Sequence, residues 1–128
     1  MEITEAANWV SSKLSGRFEY KENHYQNTLI YALQKRGWVV SQEENITYSI
    51  LDGKNTVVLG YGRIDLKVIS PTGTVHILEL KVAESLKYLS SYKAQLRRYL
   101  RHYPHPARGV LIVFNSISKP LVEHMSSV

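Results

Sequence analysis

The chain has 128 residues, of which 44% are hydrophobic and 21% charged, a balance typical of a globular protein with a sizeable core. It contains no cysteine, which excludes disulfides and thiolate metal sites. No apolar run reaches the roughly 18 residues of a membrane-spanning helix, and the first residues lack the pattern of a signal peptide. We therefore expect an intracellular, soluble protein, cytoplasmic or nuclear, without a membrane partner.

The net charge of +5 is concentrated in the last third of the chain. Residues 1–82 carry nine Lys/Arg and nine Asp/Glu, whereas residues 83–128 carry seven and two. A basic surface attracts polyanions, so this asymmetry favours an anionic partner for the C-terminal third. We expect one domain over residues 1–128, with a core at about 20–115 and a loosely packed polar tail at 116–128.

Two helices are predicted before the first strand. Residues 3–14 fit a short helix that begins with Thr4 as N-cap and ends at Ser15-Gly16. Residues 22–36 fit a longer helix that ends at Gly37. The apolar faces are Ala6, Val10 and Leu14 in the first helix and Tyr25, Leu29, Ala32 and Leu33 in the second. Because Glu22 precedes this second face by three residues, we expect it to point inward, which is unusual for a glutamate.

The next part of the chain favours strands. Residues 38–50 form an extended region, and a turn at 51–55 leads into a short strand at 57–59. Two β-branched runs, at 62–69 and 75–82, are joined by Pro71-Thr72-Gly73 and predict a β-hairpin. A turn centred on Thr72 places Asp65 across from Glu79.

Strand side chains alternate between faces, so Glu79 and Lys81 point the same way from an otherwise apolar strand. Such charges are costly to bury unless they are paired or bind a metal. Asp65, Glu79 and Lys81 together therefore predict a metal site. The alternative is an exposed Glu79–Lys81 pair on a sheet with one open face.

Residues 84–103 have a helical period, and this helix must end before Pro104. Its apolar stripe is Leu86, Leu89, Leu96, Leu100 and Tyr103, and a second stripe is Tyr88, Tyr92, Gln95 and Tyr99. Lys93, Arg97 and Arg101 recur every four residues as a basic ridge. Together with Arg98 they are the candidates for phosphate contacts, with a solvated helix face as the alternative. Residues 109–114 then fit a fully buried strand.

The order of these elements predicts an α/β sandwich, and four motifs in it resemble the PD-(D/E)XK nuclease superfamily, most closely the GxxExxY group. The motifs are Glu22-Asn23-His24-Tyr25, Arg63-Ile64-Asp65-Leu66, Glu79-Leu80-Lys81-Val82 and Gln95-Leu96-Arg97-Arg98-Tyr99. The pair Gln95 and Tyr99 is similar to the QxxxY motif of RecB-type exonucleases. The resemblance implies a restriction-endonuclease-like αβββαβ core of the α/β (α+β) class. In this core, helices flank a central mixed sheet.

The resemblance also implies a metal-dependent nuclease that hydrolyses phosphodiester bonds, with DNA favoured over RNA. Mg²⁺ or Mn²⁺ would be held by Asp65, Glu79, the Leu80 carbonyl and Glu22. Lys81 would hold the attacking water or steady the phosphate charge. Gln95 and Tyr99 would position the site or the nucleic-acid backbone.

Other interpretations remain open at this stage. Glu22 fits a first-turn residue favoured by the helix dipole, and Gln95 and Tyr99 fit an ordinary half-buried helix face. The second functional class is a nucleic-acid-binding or assembly module that keeps the fold without cleaving. We expect either a homodimer or a component of a larger replication, repair or defence complex. Endonuclease and exonuclease action are equally compatible with the sequence.

Overall fold

The computed structural model describes residues 2–14, 20–83, 85–115 and 119–126. The elements in chain order are α1 (Glu2–Leu14), α2 (Glu22–Lys35), β1 (Val39–Asp52), β2 (Asn55–Ile69), β3 (Val75–Val82), α3 (Leu89–His102), β4 (Arg108–Phe114) and β5 (Leu121–Ser126). The strands form a sheet in the order β1-β2-β3-β4-β5. Strands β3 and β4 are parallel, and the other neighbouring strands are antiparallel. The predicted α/β fold with a mixed sheet is therefore confirmed. No helix in these ranges is long and apolar enough to cross a membrane.

Helices cover both faces of the sheet. On one face α1 and α2 pack against a cluster that includes Leu78, Leu80 and Phe114. On the other face α3 packs through Leu96 and Leu100 against a second cluster, which includes Ile77, Leu111 and Val113. Since β3 and β4 are covered on both sides, β4 is buried and apolar throughout after Arg108, and β3 is buried from His76 to Leu80. This explains the continuous apolar run that predicts β4.

The two N-terminal helices lie close to their predicted positions, with both predicted apolar faces buried. The N-cap prediction was wrong, because α1 already begins at Glu2 and Thr4 lies within its first turn. Ser15 and Gly16 lie outside the described residues. Gly37 ends α2 as predicted, with φ +85° and its N–H bonded to the Gln34 carbonyl. At the other end of α2, His24 Nδ1 accepts the Lys21 backbone N–H at 2.9 Å.

Helix α3 begins later than its apolar spacing predicts. It starts at Leu89, after a turn at residues 87–88, and Leu86 is 51% exposed instead of part of the buried stripe. Helical spacing stabilises a helix only where its apolar face packs on something, and Leu86 does not belong to the core. The predicted end before Pro104 is confirmed, since α3 ends at His102.

The prediction of a loosely packed tail after residue 115 was wrong for residues 121–126. They form β5, which pairs antiparallel with β4. Leu121 and Met125 pack on the α3 side of the sheet and Val122 on the α1/α2 side. An edge strand is half exposed, so this short alternation is easily mistaken for a polar terminus.

The β1–β2 hairpin is longer than predicted. The segment at 57–59 belongs to the 15-residue strand β2, which turns back from β1 through the two-residue loop Gly53-Lys54. Strand β3 pairs only with residues 66–69 of β2. Residues 46–62, which we call the hairpin arm, therefore extend beyond the pairing with β3 as a two-stranded ribbon.

The ribbon rotates at Asp65. Ile64 and Leu66 are two residues apart and would normally share a face, yet Ile64 packs on the α3 side and Leu66 on the α1/α2 side. The β1–β2 ladder omits Glu43 and Asp65, and Glu43 has φ +53°, which is unusual for a residue other than glycine. The rotation turns the inner face of the hairpin arm toward α3.

The packing of α3 on β4 depends on a glycine. A Cβ atom on Gly109 would lie 2.7 Å from Leu100 Cδ1 and 3.2 Å from Leu96 Cδ2, both buried side chains. We predict that Gly109→Ala lowers the free energy of unfolding by about 1–3 kcal/mol through overpacking, measured by urea denaturation. Gly60→Ala is the matched control, because the nearest atom to its Cβ is 4.0 Å away. Equal stability of the two variants would contradict this packing.

Candidate active site

The hairpin of β2 and β3 has the predicted register. Leu66 pairs with Leu78 and Val68 with His76, which brings Asp65 across from Glu79 just beyond the last pair of the ladder. Where the ladder ends, Asp65 Oδ2 accepts the Leu80 backbone N–H at 3.1 Å. The two predicted carboxylates therefore meet at the point where β2 and β3 separate.

Glu79 is the most buried charged group of this site, with a side chain only 2% exposed. Its Oε1 lies 3.2 Å from Lys81 Nζ, whereas Oε2 has no hydrogen-bond partner within the described ranges. Burial, reinforced by the nearby Asp65 carboxylate and opposed by Lys81, raises the pKa of Glu79 to about 8. As an anion, Glu79 thus requires more positive charge than Lys81 provides.

Lys81 lies beside Glu79 as predicted and remains an ammonium ion. Burial lowers its pKa, but Glu79, Glu22 and Asp65 outweigh that effect and raise the pKa above its usual value. Its Nζ also lies 5.4 Å from the centre of the Tyr92 ring, within the range of a cation–π contact. Tyr92 shares a helical stripe with Gln95 and Tyr99, but its spacing alone does not mark it as a site residue.

Glu22 lies near the other acidic groups without joining them in one cluster. Glu22 is exposed as a whole residue at the start of α2, but its partly buried carboxyl group lies within reach of Lys81, Asp65 and the Val82 backbone. The predicted inward orientation therefore holds for the carboxyl group, although Glu22 is not part of the core. Burial of its carboxyl group raises the pKa, an effect that Lys81 opposes and Asp65 reinforces. No group of three or more His, Cys, Asp or Glu side chains in the described ranges is arranged to hold a metal ion. Glu22 does lie within electrostatic reach of Lys81 and Asp65.

Gln95 and Tyr99 are brought together beside the carboxylates. Gln95 Nε2–H donates to Tyr99 Oη at 2.9 Å, and Tyr99 is 3% exposed. Burial, and then the charge of Glu79, raises the pKa of Tyr99 to about 12, so its hydroxyl stays protonated. The Tyr99 ring stacks on Tyr48 of β1 with 6.4 Å between centroids, a contact that the sequence did not predict.

The basic ridge of α3 divides into two parts. Lys93 forms a 2.8 Å ion pair with Glu123 of β5, a contact that the predicted tail at 116–128 does not include. Arg97, Arg98 and Arg101 are exposed, and no ion pair to them occurs within the described ranges. The Arg98 guanidinium also lies 5.8 Å from the centre of the Tyr48 ring. These three arginines remain available to an anionic ligand.

The donor atoms at this site suit a hard divalent cation. Asp65 and Glu79 provide carboxylate oxygens, and the unpartnered Oε2 of Glu79 is an acceptor with no hydrogen bond to lose. Mg²⁺ and Mn²⁺ prefer such oxygen ligands and often keep several water molecules, so two protein carboxylates are sufficient. The Leu80 carbonyl belongs to the residue between Glu79 and Lys81 and is a candidate for a further oxygen.

The raised pKa of Glu79 predicts a pH-dependent stability in metal-free buffer. The folded protein holds this proton more tightly than the unfolded chain between about pH 4.5 and 8, so the free energy of unfolding should fall as pH rises through this window. Urea denaturation in EDTA should show a smaller fall for Glu79→Gln.

Glu44→Gln is the matched control, because Glu44 pairs with Lys67 and lies outside the site. His76, whose pKa is lowered by burial, contributes equally to all three proteins, so differences between them report the glutamates. Parallel pH curves for wild type and Glu79→Gln would contradict the prediction.

Comparisons with known proteins identify the family and the fold of this chain. A model of the PD-(D/E)XK nuclease superfamily matches residues 1–125. The crystal structure of SSO0001 shares the fold, with a TM-score of 0.57 and 18% sequence identity, and the match covers 98% of this chain and 66% of that one. The chain thus spans slightly less than two thirds of the length of that protein. A search of the curated proteins finds no match. Since the family match extends over nearly the whole chain, including Asp65, Glu79 and Lys81, the chain belongs to the PD-(D/E)XK nuclease superfamily.

Proposed function

We propose that this chain is a Mg²⁺- or Mn²⁺-dependent nuclease that hydrolyses phosphodiester bonds of DNA. The observation that supports this most directly is the Glu79 carboxylate, buried next to Asp65 with one oxygen lacking a hydrogen-bond partner in the described structure and Lys81 on the other. A fold without a functional need for this group would be expected to replace it with an apolar residue.

Asp65 and Glu79 would hold the cation, together with the Leu80 carbonyl, and Glu22 would orient the surrounding water. When bound, the cation supplies positive charge against the phosphate and acidifies water. Asp65 is held in place because its Oδ2 accepts the Leu80 N–H, and Glu79 because Lys81 donates to its Oε1. The Oε2 atom of Glu79, which has no hydrogen-bond partner in the described structure, is the oxygen that a cation would bind first.

Lys81 acts as a hydrogen-bond donor. With a raised pKa, its ammonium group keeps its protons at neutral pH, so it orients the attacking water or neutralises a phosphate oxygen as the P–O bond to the leaving group breaks. Tyr92 and Glu79 restrict its position from two sides. Gln95 and the protonated, buried Tyr99, which hydrogen-bond to each other, would position the site or the nucleic-acid backbone.

The remaining functional expectations are proposals of the same kind. The charge asymmetry and the free arginines support DNA as the ligand, and similarity to the GxxExxY group and to the QxxxY motif of RecB-type exonucleases supports nuclease action. A homodimer would bring a second active site to the DNA, and a place in a larger replication, repair or defence complex would add further contacts to it. The expected compartment is that of the DNA inside the cell.

Cleavage tests the proposed catalytic group. We predict that Lys81→Met reduces the rate of cleavage of end-labelled DNA in Mn²⁺ or Mg²⁺ by at least about 100-fold while binding changes less than tenfold, because the interaction strengthens as charge develops. The comparison is with Lys67→Met, since Lys67 pairs with Glu44 on the neighbouring strand and should leave the rate nearly unchanged.

Single-stranded, duplex and branched DNA should all be tested, each with and without the metal. Wild-type cleavage by Lys81→Met would remove Lys81 from the mechanism. If binding occurs without cleavage on any substrate or metal, the chain is the non-catalytic module considered as the alternative.

Metal binding provides a test that needs no substrate. In millimolar Mn²⁺ or Mg²⁺ we predict that the wild type gains about 1.4 kcal/mol of stability for each tenfold excess of metal over its dissociation constant. Asp65→Asn should gain much less. Without metal, the same substitution should be neutral or stabilising, because it removes charge repulsion with Glu79.

The matched control is Asp52→Asn at the end of β1, an exposed aspartate distant from Glu79 in the ladder. It should show the full metal-induced shift in thermal denaturation. Equal shifts in wild type and Asp65→Asn would show that Asp65 does not hold the metal.

A further inference from the structure

A groove runs between the hairpin arm and α3, next to the proposed active site. Its volume is about 570 Å³, and its lining includes Arg97, Arg98, Arg101 and His102 from α3 and Tyr48 and Leu59 from the hairpin arm. The lining is thus cationic on the helix side and apolar or aromatic on the strand side. None of the roles proposed above uses the strand side of this groove.

The helix side of the groove carries uncompensated positive charge. Arg97, Arg98 and Arg101 are exposed and lack an ion pair within the described part of the chain, whereas the neighbouring Lys93 is neutralised by Glu123. Exposed arginines at these spacings lie along one side of the helix, where they suit a chain of phosphates. This face therefore complements a polyanion.

The strand side contains an apolar residue that a bulge redirects. The β1–β2 register passes from Tyr48↔Gly60 to Ser49↔Val58, which leaves Leu59 as the extra, unpaired residue of β2. Leu59 is 60% exposed and lines the groove opposite the arginines. Bulges re-aim side chains and are frequent beside functional sites. A large apolar side chain facing a cationic groove does not favour a phosphate backbone, but it suits the face of a base.

The groove is continuous with the active site through two stacked tyrosines. Tyr48 stacks on Tyr99, whose hydroxyl lies within electrostatic reach of Glu79 and Asp65. The Tyr48 ring occupies the space over Gly62, where a Cβ atom would overlap the Tyr48 hydroxyl. Arg98 and His102 pack against the same ring, with 5.2 Å between the Tyr48 and His102 centroids. A strand that leaves the active site past Tyr99 would enter this groove directly.

We infer that the groove binds an unpaired stretch of nucleic acid, with its phosphates on Arg97, Arg98 and Arg101 and its bases against Leu59 and Tyr48. In a duplex the bases are stacked inside and the apolar side of the groove would face only phosphates. In a single strand every base exposes a face that can pack on aromatic and apolar side chains. The inference rests on the proposed function for its ligand and adds the strand state that the protein prefers.

Binding without catalysis tests the inference. The probes are a fluorescein-labelled single-stranded DNA of about 20 nucleotides, the RNA of the same sequence and the corresponding DNA duplex, each titrated in EDTA and followed by fluorescence anisotropy. The wild type should bind both single strands about tenfold more tightly than the duplex at the same salt concentration. Leu59→Ser should weaken single-strand binding about fivefold or more and leave duplex binding unchanged, since base contacts are the ones removed.

Two matched variants separate apolar from ionic contacts. Leu51→Ser, at the 78%-exposed tip of the same arm, should bind like the wild type, because Leu51 does not line the groove. Arg97→Gln with Arg101→Gln should weaken binding to all three probes. It should also make the slope of log affinity against log salt shallower, by about 0.7 for each phosphate of the single strand that the protein no longer neutralises.

Three results would overturn the inference: equal or tighter binding of duplex, equal behaviour of Leu59→Ser and Leu51→Ser, or a Leu59→Ser protein that changes from dimer to monomer with unaltered DNA binding. The last result would assign the apolar side of the groove to an interface between two copies. Because these titrations contain no metal, they are independent of the cleavage test. If the protein cleaves no substrate but still prefers single strands to duplex, the assignment of the groove is retained and only the proposed nuclease activity is refuted.

Discussion

The carboxylate of Glu79 lies in the centre of the sheet, and the surrounding structure both buries it and leaves it incompletely neutralised. Its strand is covered on both faces by helices, so water does not solvate the charge. Lys81 compensates one oxygen, and the other oxygen has no hydrogen-bond partner in the described structure. Burying an unsatisfied carboxylate costs a fold several kcal/mol at least, and a protonated carboxyl or a bound cation relieves that cost. The same burial without full compensation raises the pKa of Glu79.

The position of Asp65 follows from the same region of the sheet. The β2–β3 ladder stops just before Asp65 and Glu79, and the β1–β2 ladder is interrupted at Glu43 and Asp65. The Asp65 carboxylate then bonds to the Leu80 N–H, which fixes it beside Glu79. The interruption also rotates the ribbon, so that the hairpin arm turns its inner face toward α3. One local irregularity thus gathers the carboxylates and forms the neighbouring groove.

Opposite charges are arranged close together without cancelling one another. Asp65, Glu79 and Glu22 lie within electrostatic reach of Lys81, and the exposed arginines of α3 lie beyond Tyr99 and Tyr48. Carboxylates alone would repel a phosphate, whereas arginines alone would bind it without activating water. The chain belongs to the PD-(D/E)XK nuclease superfamily, and the proposed metal-dependent hydrolysis would use the acidic residues for the cation and the arginines for the phosphate backbone.

Local patterns were sufficient for the helices α1 and α2, the buried strand β4 and the register of β2 and β3. Periodicity and turn residues act over a few positions. For this reason Tyr25 predicts the buried face of α2, Gly37 its end, and Pro71-Thr72-Gly73 the turn between β2 and β3. The alternation that places Glu79 and Lys81 on one face is equally local. The sequence by itself therefore determined which residues form the acidic pair with its lysine and which fold class holds them.

Only the tertiary structure decided the contacts between distant segments. The strand β5 and the Lys93–Glu123 ion pair depend on the pairing of residues 121–126 with β4. The late start of α3 depends on the lack of core packing around the exposed Leu86. Three further features depend on contacts with another part of the chain. They are the rotation of the ribbon at Asp65, the bulge at Leu59 and the stacking of Tyr48 on Tyr99. No local periodicity encodes such contacts, because they arise from the packing of complete elements against each other. For this reason the acidic residues of the site were predictable, whereas the groove beside them became visible only in the fold.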